Sequence, residues 1–151
     1  MQLIGWRWRR LGDFDAQGLY QLLALRQRIF VLEQRSPYLD ADGLDAGSEH
    51  LTGHDGDTLA ACLRLLPPAD GRREAAIARV AVDRGYRGQG LAREMMRQAL
   101  VRVRHRHGRV PVRLAAQQHL LPFYGSLGFD PVSAPYDEDG IMHVEMLLAD
   151  D

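Results

Sequence analysis

Hydrophobic positions along the 151-residue chain change their period several times, and each change predicts an element. From Gly5 to Arg10, Trp6 and Trp8 alternate with polar neighbours, the period of two expected of a strand. Asp13 or Asp15 can cap a helix in which Leu19, Leu22, Leu23, Arg26 and Phe30 follow at spacings of three and four. The Pro-, Gly- and Asp-rich stretch from Ser36 to Ser48 reads as a loop. His50 to Gly53 and Thr58 to Leu66 read as strands joined by a turn at Asp55-Gly56-Asp57. A second turn, Pro67-Pro68 to Gly71-Arg72, leads to a third strand over Ala75 to Val82.

The glycine-rich segment Arg84 to Gly90 then opens the clearest element, a helix over Leu91 to Arg106. Ala92, Met95, Met96, Ala99, Leu100 and Val103 form one apolar stripe, and Gly108 lies where a C-terminal glycine belongs. Val110 to Ala115 predicts a strand, and His119 to Leu127 a short helix stopped at Gly128. Two last strands, Phe129 to Ser133 and Ile141 to Leu148, flank a turn at Asp137-Glu138-Asp139-Gly140. This order of elements describes a mixed α/β sheet, and no linker divides residues 1–151 into more than one domain.

Composition narrows the partners. Charged residues make up 26% and the net charge is −1, without the basic excess of a general nucleic-acid binder. The single cysteine, Cys62, rules out an intrachain disulfide and agrees with a reducing compartment. No apolar stretch approaches the roughly 18 residues of a membrane span, and the basic start MQLIGWRWRR does not read as a signal peptide. A cytoplasmic location with no membrane partner is expected. All 19 basic residues are arginine. Between Pro37 and Asp57 lie six acids (Asp40, Asp42, Asp45, Glu49, Asp55, Asp57) and no base, whereas Arg84 to Arg113 holds nine arginines and one acid, Glu94. That asymmetry suggests one anionic and one cationic ligand. The run Asp40 to Asp45 fails as a calcium loop, because glycine falls at its fourth position and Leu44 replaces a ligand at its fifth. No metal is expected.

The strand–loop–helix unit Ile77 to Arg106 carries the chemistry. A helix N-terminus offers free N–H groups and partial positive charge to an anion, and glycines such as Gly88 and Gly90 let phosphate approach. A dinucleotide fingerprint would need glycine where Arg93 stands, and a triphosphate loop would need a lysine that the chain lacks. Arg87-Gly88-Gln89-Gly90-Leu91-Ala92 resembles the R-x-x-G-x-G/A loop of the GNAT N-acetyltransferase superfamily. Ala78-Arg79-Val80-Ala81-Val82 is similar to the strand before that loop, and Phe123-Tyr124-Gly125-Ser126-Leu127-Gly128-Phe129 to its F-Y-x-x-x-G-F segment. Arg26-x-x-Ile29-Phe30-Val31-x-Glu33-Gln34, Pro37-Tyr38-x-Asp40-x-Asp42-Gly43-x-Asp45, His50-Leu51 and Tyr136-x-Glu138-Asp139-Gly140-Ile141-x-His143 look like the ElaA-type branch. In that branch a cysteine is expected where Ser36 stands.

The resemblance implies the GNAT acyltransferase fold, a central, mostly antiparallel sheet flanked by helices in one domain. It implies acetyl transfer from acetyl-coenzyme A to an amine of a small molecule or peptide. By the same carry-over, Arg87 to Ala92 hold the pyrophosphate. A bulge in the preceding strand frees N–H groups near Val80, Ala81 and Val82 for the pantetheine arm and thioester oxygen, in the manner of an oxyanion hole. Tyr124, protonated at neutral pH, is the candidate general acid for the departing thiolate. Glu33, His50 and His143 are candidate bases. Arg26 falls within the apolar stripe and either pairs structurally with Glu33 or lines the acceptor pocket with it. Asp40, Asp42 and their acidic neighbours are expected to rim the acceptor side and attract a protonated amine. A longer-chain or acylhomoserine-lactone-type acyltransferase and a non-catalytic coenzyme A-binding module are the alternatives. A homodimer is compatible with the chain.

Overall fold

The computed structural model describes residues 3–150, so the first two residues of the basic N-terminal stretch and Asp151 lie outside it. Strands β1 (Gly5–Arg10), β2 (Glu49–Asp55), β3 (Thr58–Leu66) and β4 (Ala75–Val82) form an antiparallel meander. Helix α2 (Leu91–His107) crosses over to β5 (Val112–Gln117), which pairs with β4 in the one parallel contact among the described residues. Strand β8 (Ile141–Leu148) lies against β5, and the short strands β6 (Asp130–Pro131) and β7 (Tyr136–Glu138) both pair with β8. The sheet order is β1-β2-β3-β4-β5-β8-β6, so the mostly antiparallel mixed sheet is as expected.

Helices cover both faces. The α2 stripe buries Met95, Met96, Ala99 and Val103 against Ala61, Leu63, Leu65, Ile77, Leu114 and Phe129. Helix α1 (Ala16–Arg26) buries Leu22 and Leu25 on the other face, against Cys62 and Ala81. Asp15 is its cap, accepting a hydrogen bond from the Gly18 N–H at 2.7 Å. The buried stripe is Leu22, Leu25, Arg26 and Ile29, and the chain continues past Arg26 as a π-helical turn over Gln27–Glu33. Its wider pitch shows in the bonds from Gln34 N–H to Ile29 O and from Ser36 N–H to Val31 O, both 3.1 Å and both spanning five residues. Among the described residues no helix is long and apolar enough to cross a membrane.

Several boundaries shift for local reasons. Strand β5 begins two residues later than its pattern predicts, because Pro111 can only accept, taking the Ala75 N–H at 3.0 Å. Pro131 likewise cuts the strand after Phe129 to two residues. The chain then forms β7 inside the predicted turn, which narrows to Asp139 (φ 53°) and Gly140 (φ 86°) between the paired Glu138 and Ile141. The predicted helix from His119 becomes a single 3-10 turn, Gln118–Leu120, followed by α3 (Leu121–Gly125).

Candidate active site

Strands β4 and β5 pair only at Ala75–Val112 and Ala76–Arg113, then diverge. Two cavities flank this fork. One, of about 450 Å³, is bounded by the loop after α1 and the β7–β8 hairpin, and its lining includes Tyr38, Asp42, Arg79, Glu138 and His143. The other, of about 560 Å³, runs along Val80, Ala81 and Val82 to Arg87 and Ala92. Gln34, Val80, Gln117, Leu120 and Tyr124 line both.

The fork's β4 arm carries a bulge. Cys62 pairs with Ala81 and Arg64 with Ala78, so Arg79 and Val80 together oppose Leu63. Arg79 has φ 54°, in the left-handed region that a non-glycine residue rarely occupies. The Asp83 N–H donates to Ala60 O at 2.8 Å, and Ala81, two residues earlier and in register with Cys62, faces β3 in the same way. Val82, and by alternation Val80, therefore turn their N–H groups towards the gap that β5 has left. Of the three positions expected to offer N–H groups, Ala81 instead faces β3 in register with Cys62.

Across the loop-side cavity stands the N-terminus of α2. Gly88 and Gly90 have φ 77° and 80°, and a side chain built on either would meet nothing within 4 Å. Backbone conformation and the need for an open approach, not crowding, call for glycine there. Gly90 is the N-cap and brings no side chain, so the N–H groups of Leu91, Ala92 and Arg93 are left uncapped; the first intrahelical bond is Glu94 N–H to Gly90 O, 3.1 Å. Gly88, Gln89 and Gly90 are exposed. This cradle fits a pyrophosphate.

Tyr124 sits where the cavities meet. Its ring packs on Phe123 and Phe129, and burial pushes its phenol up to about 12. Among the described residues its hydroxyl has no hydrogen-bond partner, and the side chain lines both cavities. His143, on β8, lines the hairpin-side cavity. Its Nδ1–H donates to Ile141 O at 2.8 Å, which in the neutral ring leaves the lone pair on Nε2. The Tyr136 ring stacks on it at 6.2 Å, and Glu138 lies 3.8 Å from Nε2.

The other expected positions differ. Glu33 lies on the loop-side cavity but pairs with Arg87, whose Nη2 donates to Oε2 at 2.9 Å. That hydrogen bond holds its carboxyl below the usual range, a poor setting for a base. Arg26 is not Glu33's partner. It is 1% exposed, lines neither cavity and binds Asp40 (Nε–Oδ2, 2.9 Å) and Asp45 (Nη1–Oδ1, 2.7 Å). Nor do the acids form a free rim. Asp45 also takes Arg64 at 3.1 Å, Asp42 takes Arg64 at 2.5 Å and Arg79 at 3.3 Å, and Asp40 lies 2.7 Å from Arg79. Three arginines and three aspartates thus close a ring of alternating charge, while Glu49 pairs with Arg102 and Asp55 with the Tyr86 hydroxyl. Burial opposes ionisation of Asp42 and Asp45, but the arginines outweigh it and hold both carboxyls low. Deleting one member would leave its two neighbours with one partner each and the ring with one uncompensated charge.

His50 is buried on the α1 face, lines neither cavity, and donates from Nε2 to Asp45 O at 3.0 Å. There it cannot reach an acceptor amine in either cavity. Burial lowers its pKa below the unfolded value of 6.5, so its contribution to stability is present above that value and lost as pH falls below it. Asp42 and Asp45 add a second loss below the ordinary carboxylate range of about 4. The melting temperature is expected to drop in these two steps, and His50→Gln to shrink the first, to which His54, also lowered by burial, contributes the remainder. A first step of unchanged size in His50→Gln would place the titrating group elsewhere.

Sequence reasoning missed Arg64, Arg79, Tyr38 and Gln117 as site residues. Arg64 and Arg79 were signalled by standing alone in apolar strands, as Arg26 does in its helix; the base-free acidic loop was the matching half of the signal.

A family model described as an acetyltransferase (GNAT) domain matches residues 47–149. Protein ElaA of Escherichia coli is 38% identical over 95% of this chain and 95% of its own length. Its crystal structure superposes with a TM-score of 0.90, covering 97% of this chain and 99% of that one. An acyl-CoA N-acyltransferase from Pseudomonas aeruginosa, also 38% identical, superposes at 0.92 over 97% of this chain and all of its own. The acylhomoserine-lactone (AHL) synthase LasI shares the fold at 0.77 over 100% of this chain and 92% of its own, with 15% identity. The forked sheet, the bulge beside it and the glycine loop at α2 are therefore the framework of an acyltransferase, and this chain belongs to the GNAT family.

Proposed function

We propose that the protein transfers an acetyl group from acetyl-coenzyme A to the amine of a small molecule or peptide by direct attack on the thioester. The observation that carries this reading is that Tyr124 and Val80 line both cavities. A donor lying along β4 from the α2 loop and an acceptor entering beside the hairpin would meet there. The thioester supplies an activated carbonyl and a thiolate leaving group. Gly88 to Ala92 and Arg87 would hold the pyrophosphate, and the Val80 and Val82 N–H groups would stabilise charge developing on the carbonyl oxygen. His143 would accept the amine's proton at Nε2, and Tyr124 would donate to the departing sulfur.

Thiol release from acetyl-coenzyme A, measured across a panel of amines, polyamines and peptide N-termini, tests the proposal. At least one amine should raise the rate well above hydrolysis and appear as its N-acetyl product. Tight coenzyme A binding without turnover on any acceptor would favour a binding module, and faster turnover with long-chain acyl donors would move the assignment to a longer-chain acyltransferase.

The Glu33–Arg87 pair gives a second prediction. Glu33→Gln frees Arg87 for the pyrophosphate, and an ion pair this exposed is worth up to about 1 kcal/mol. Calorimetry should find acetyl-coenzyme A bound up to about fivefold more tightly. Weaker binding would mean that Glu33 supports the donor site instead of competing with it.

A further inference from the structure

The left-handed residue of the β4 bulge is an arginine, where glycine is the usual occupant of such a position. A side chain in this region persists only when its surroundings hold it there. Arg79 is held from several directions. Its Nε lies 2.7 Å from Asp40 Oδ1, without the alignment of a hydrogen bond. Its Nη2 donates to Asp40 O at 3.1 Å and to Asp42 Oδ2 at 3.3 Å. The guanidinium also lies over the rings of Tyr38, at 5.5 Å, and Phe30, at 6.0 Å. Asp40 and Asp42 are fixed in turn by Arg26 and Arg64.

We infer that Arg79 is a positioning residue for acyl transfer, anchored by the Asp40–Asp42 segment so that the bulge keeps the Val80 and Val82 N–H groups turned into the cleft. The inference rests on the acyltransfer reading above, and gives the acidic loop a task other than steering. Arg79, Asp42 and Tyr38 also line the hairpin-side cavity, so one clamp sets both the acceptor wall and the carbonyl site. A glycine at this position would accept the backbone angle but lose the anchor. Asp42, whose side chain is 28% exposed, lets the clamp be weakened from the loop without altering β4.

The test compares Arg79→Gly, Asp42→Asn and the double variant with wild type, using acetyl-coenzyme A and the best amine found. Removing a preorganised oxyanion donor outright lowers kcat by about 10²–10³. Displacing one should lower it roughly tenfold to a hundredfold in each single variant, with KM for acetyl-coenzyme A changing much less. The losses should not multiply in the double variant, because both substitutions break the same clamp. Amide NMR spectra of the free proteins supply a readout that needs no turnover: the Val80 and Val82 resonances should move in both single variants while Gly88 and Gly90 stay in place. Should Arg79→Gly fail to fold, Asp42→Asn carries the test by itself. Wild-type kcat in folded single variants, losses that multiply, or unmoved Val80 and Val82 amides would each overturn the inference. A wild-type protein that turns over no amine would instead defeat the acyltransfer reading, while the amide shifts still report on the clamp.

Discussion

Replacing Gly90 with valine and Arg87 with alanine together is expected to abolish acetyl-coenzyme A binding, lowering affinity by at least about a hundredfold. The reason is local. Gly90 holds φ 80° at the start of α2, where a β-branched residue is strained and its methyl groups would stand before the N–H groups of Leu91 and Ala92. Arg87→Ala removes a positive charge from the same side of the loop-side cavity. The loss should exceed that of Arg87→Ala alone, because Arg87 is already shared with Glu33 while the backbone groups of α2 are uncapped. Calorimetry on the folded double variant measures it directly, and wild-type affinity would remove the loop from the donor site.

Tyr124→Phe keeps the ring and deletes the hydroxyl of a side chain that lines both cavities. Turnover is expected to fall roughly tenfold to a thousandfold, with acetyl-coenzyme A binding little changed, the usual scale for one general acid. With its pKa raised to about 12, the phenol keeps its proton throughout the range in which the protein is handled. Its loss should therefore depress the rate by the same factor from pH 6 to 10, without moving the pH profile. The measurement belongs in conditions where chemistry limits the rate. An unchanged turnover number there would return Tyr124 to the core, where its contacts with Phe123 and Phe129 suffice to explain it.

His143 and Glu33 show where local sequence stopped. Both stand in segments that look like the same branch, and nothing in their spacing separates a base from an ion-pair partner. Contacts made only in the folded chain separate them. The Ile141 carbonyl and the Tyr136 ring orient His143 across a hairpin, whereas Arg87, 54 positions away, captures Glu33.

By itself the sequence determined the elements that depend on near neighbours. The α2 stripe, its terminal Gly108, the glycines of the preceding loop and the alternation of β1 all act within a few residues, through periodicity and backbone freedom. It also displayed both halves of the charge ring: three arginines isolated in apolar runs and a loop of acids without bases. Pairing them was beyond it. Arg26 at the end of α1 meets Asp40 and Asp45 across the π-helical turn and the loop after it, and Arg79 in the β4 bulge meets Asp40 and Asp42. Ion pairing is decided by which charges folding brings within a few ångströms, and burial makes pairing obligatory for Arg26 and Arg64. So the acids that look like a free cationic-substrate rim along the chain become, in the tertiary structure, a neutral clamp beneath the cleft.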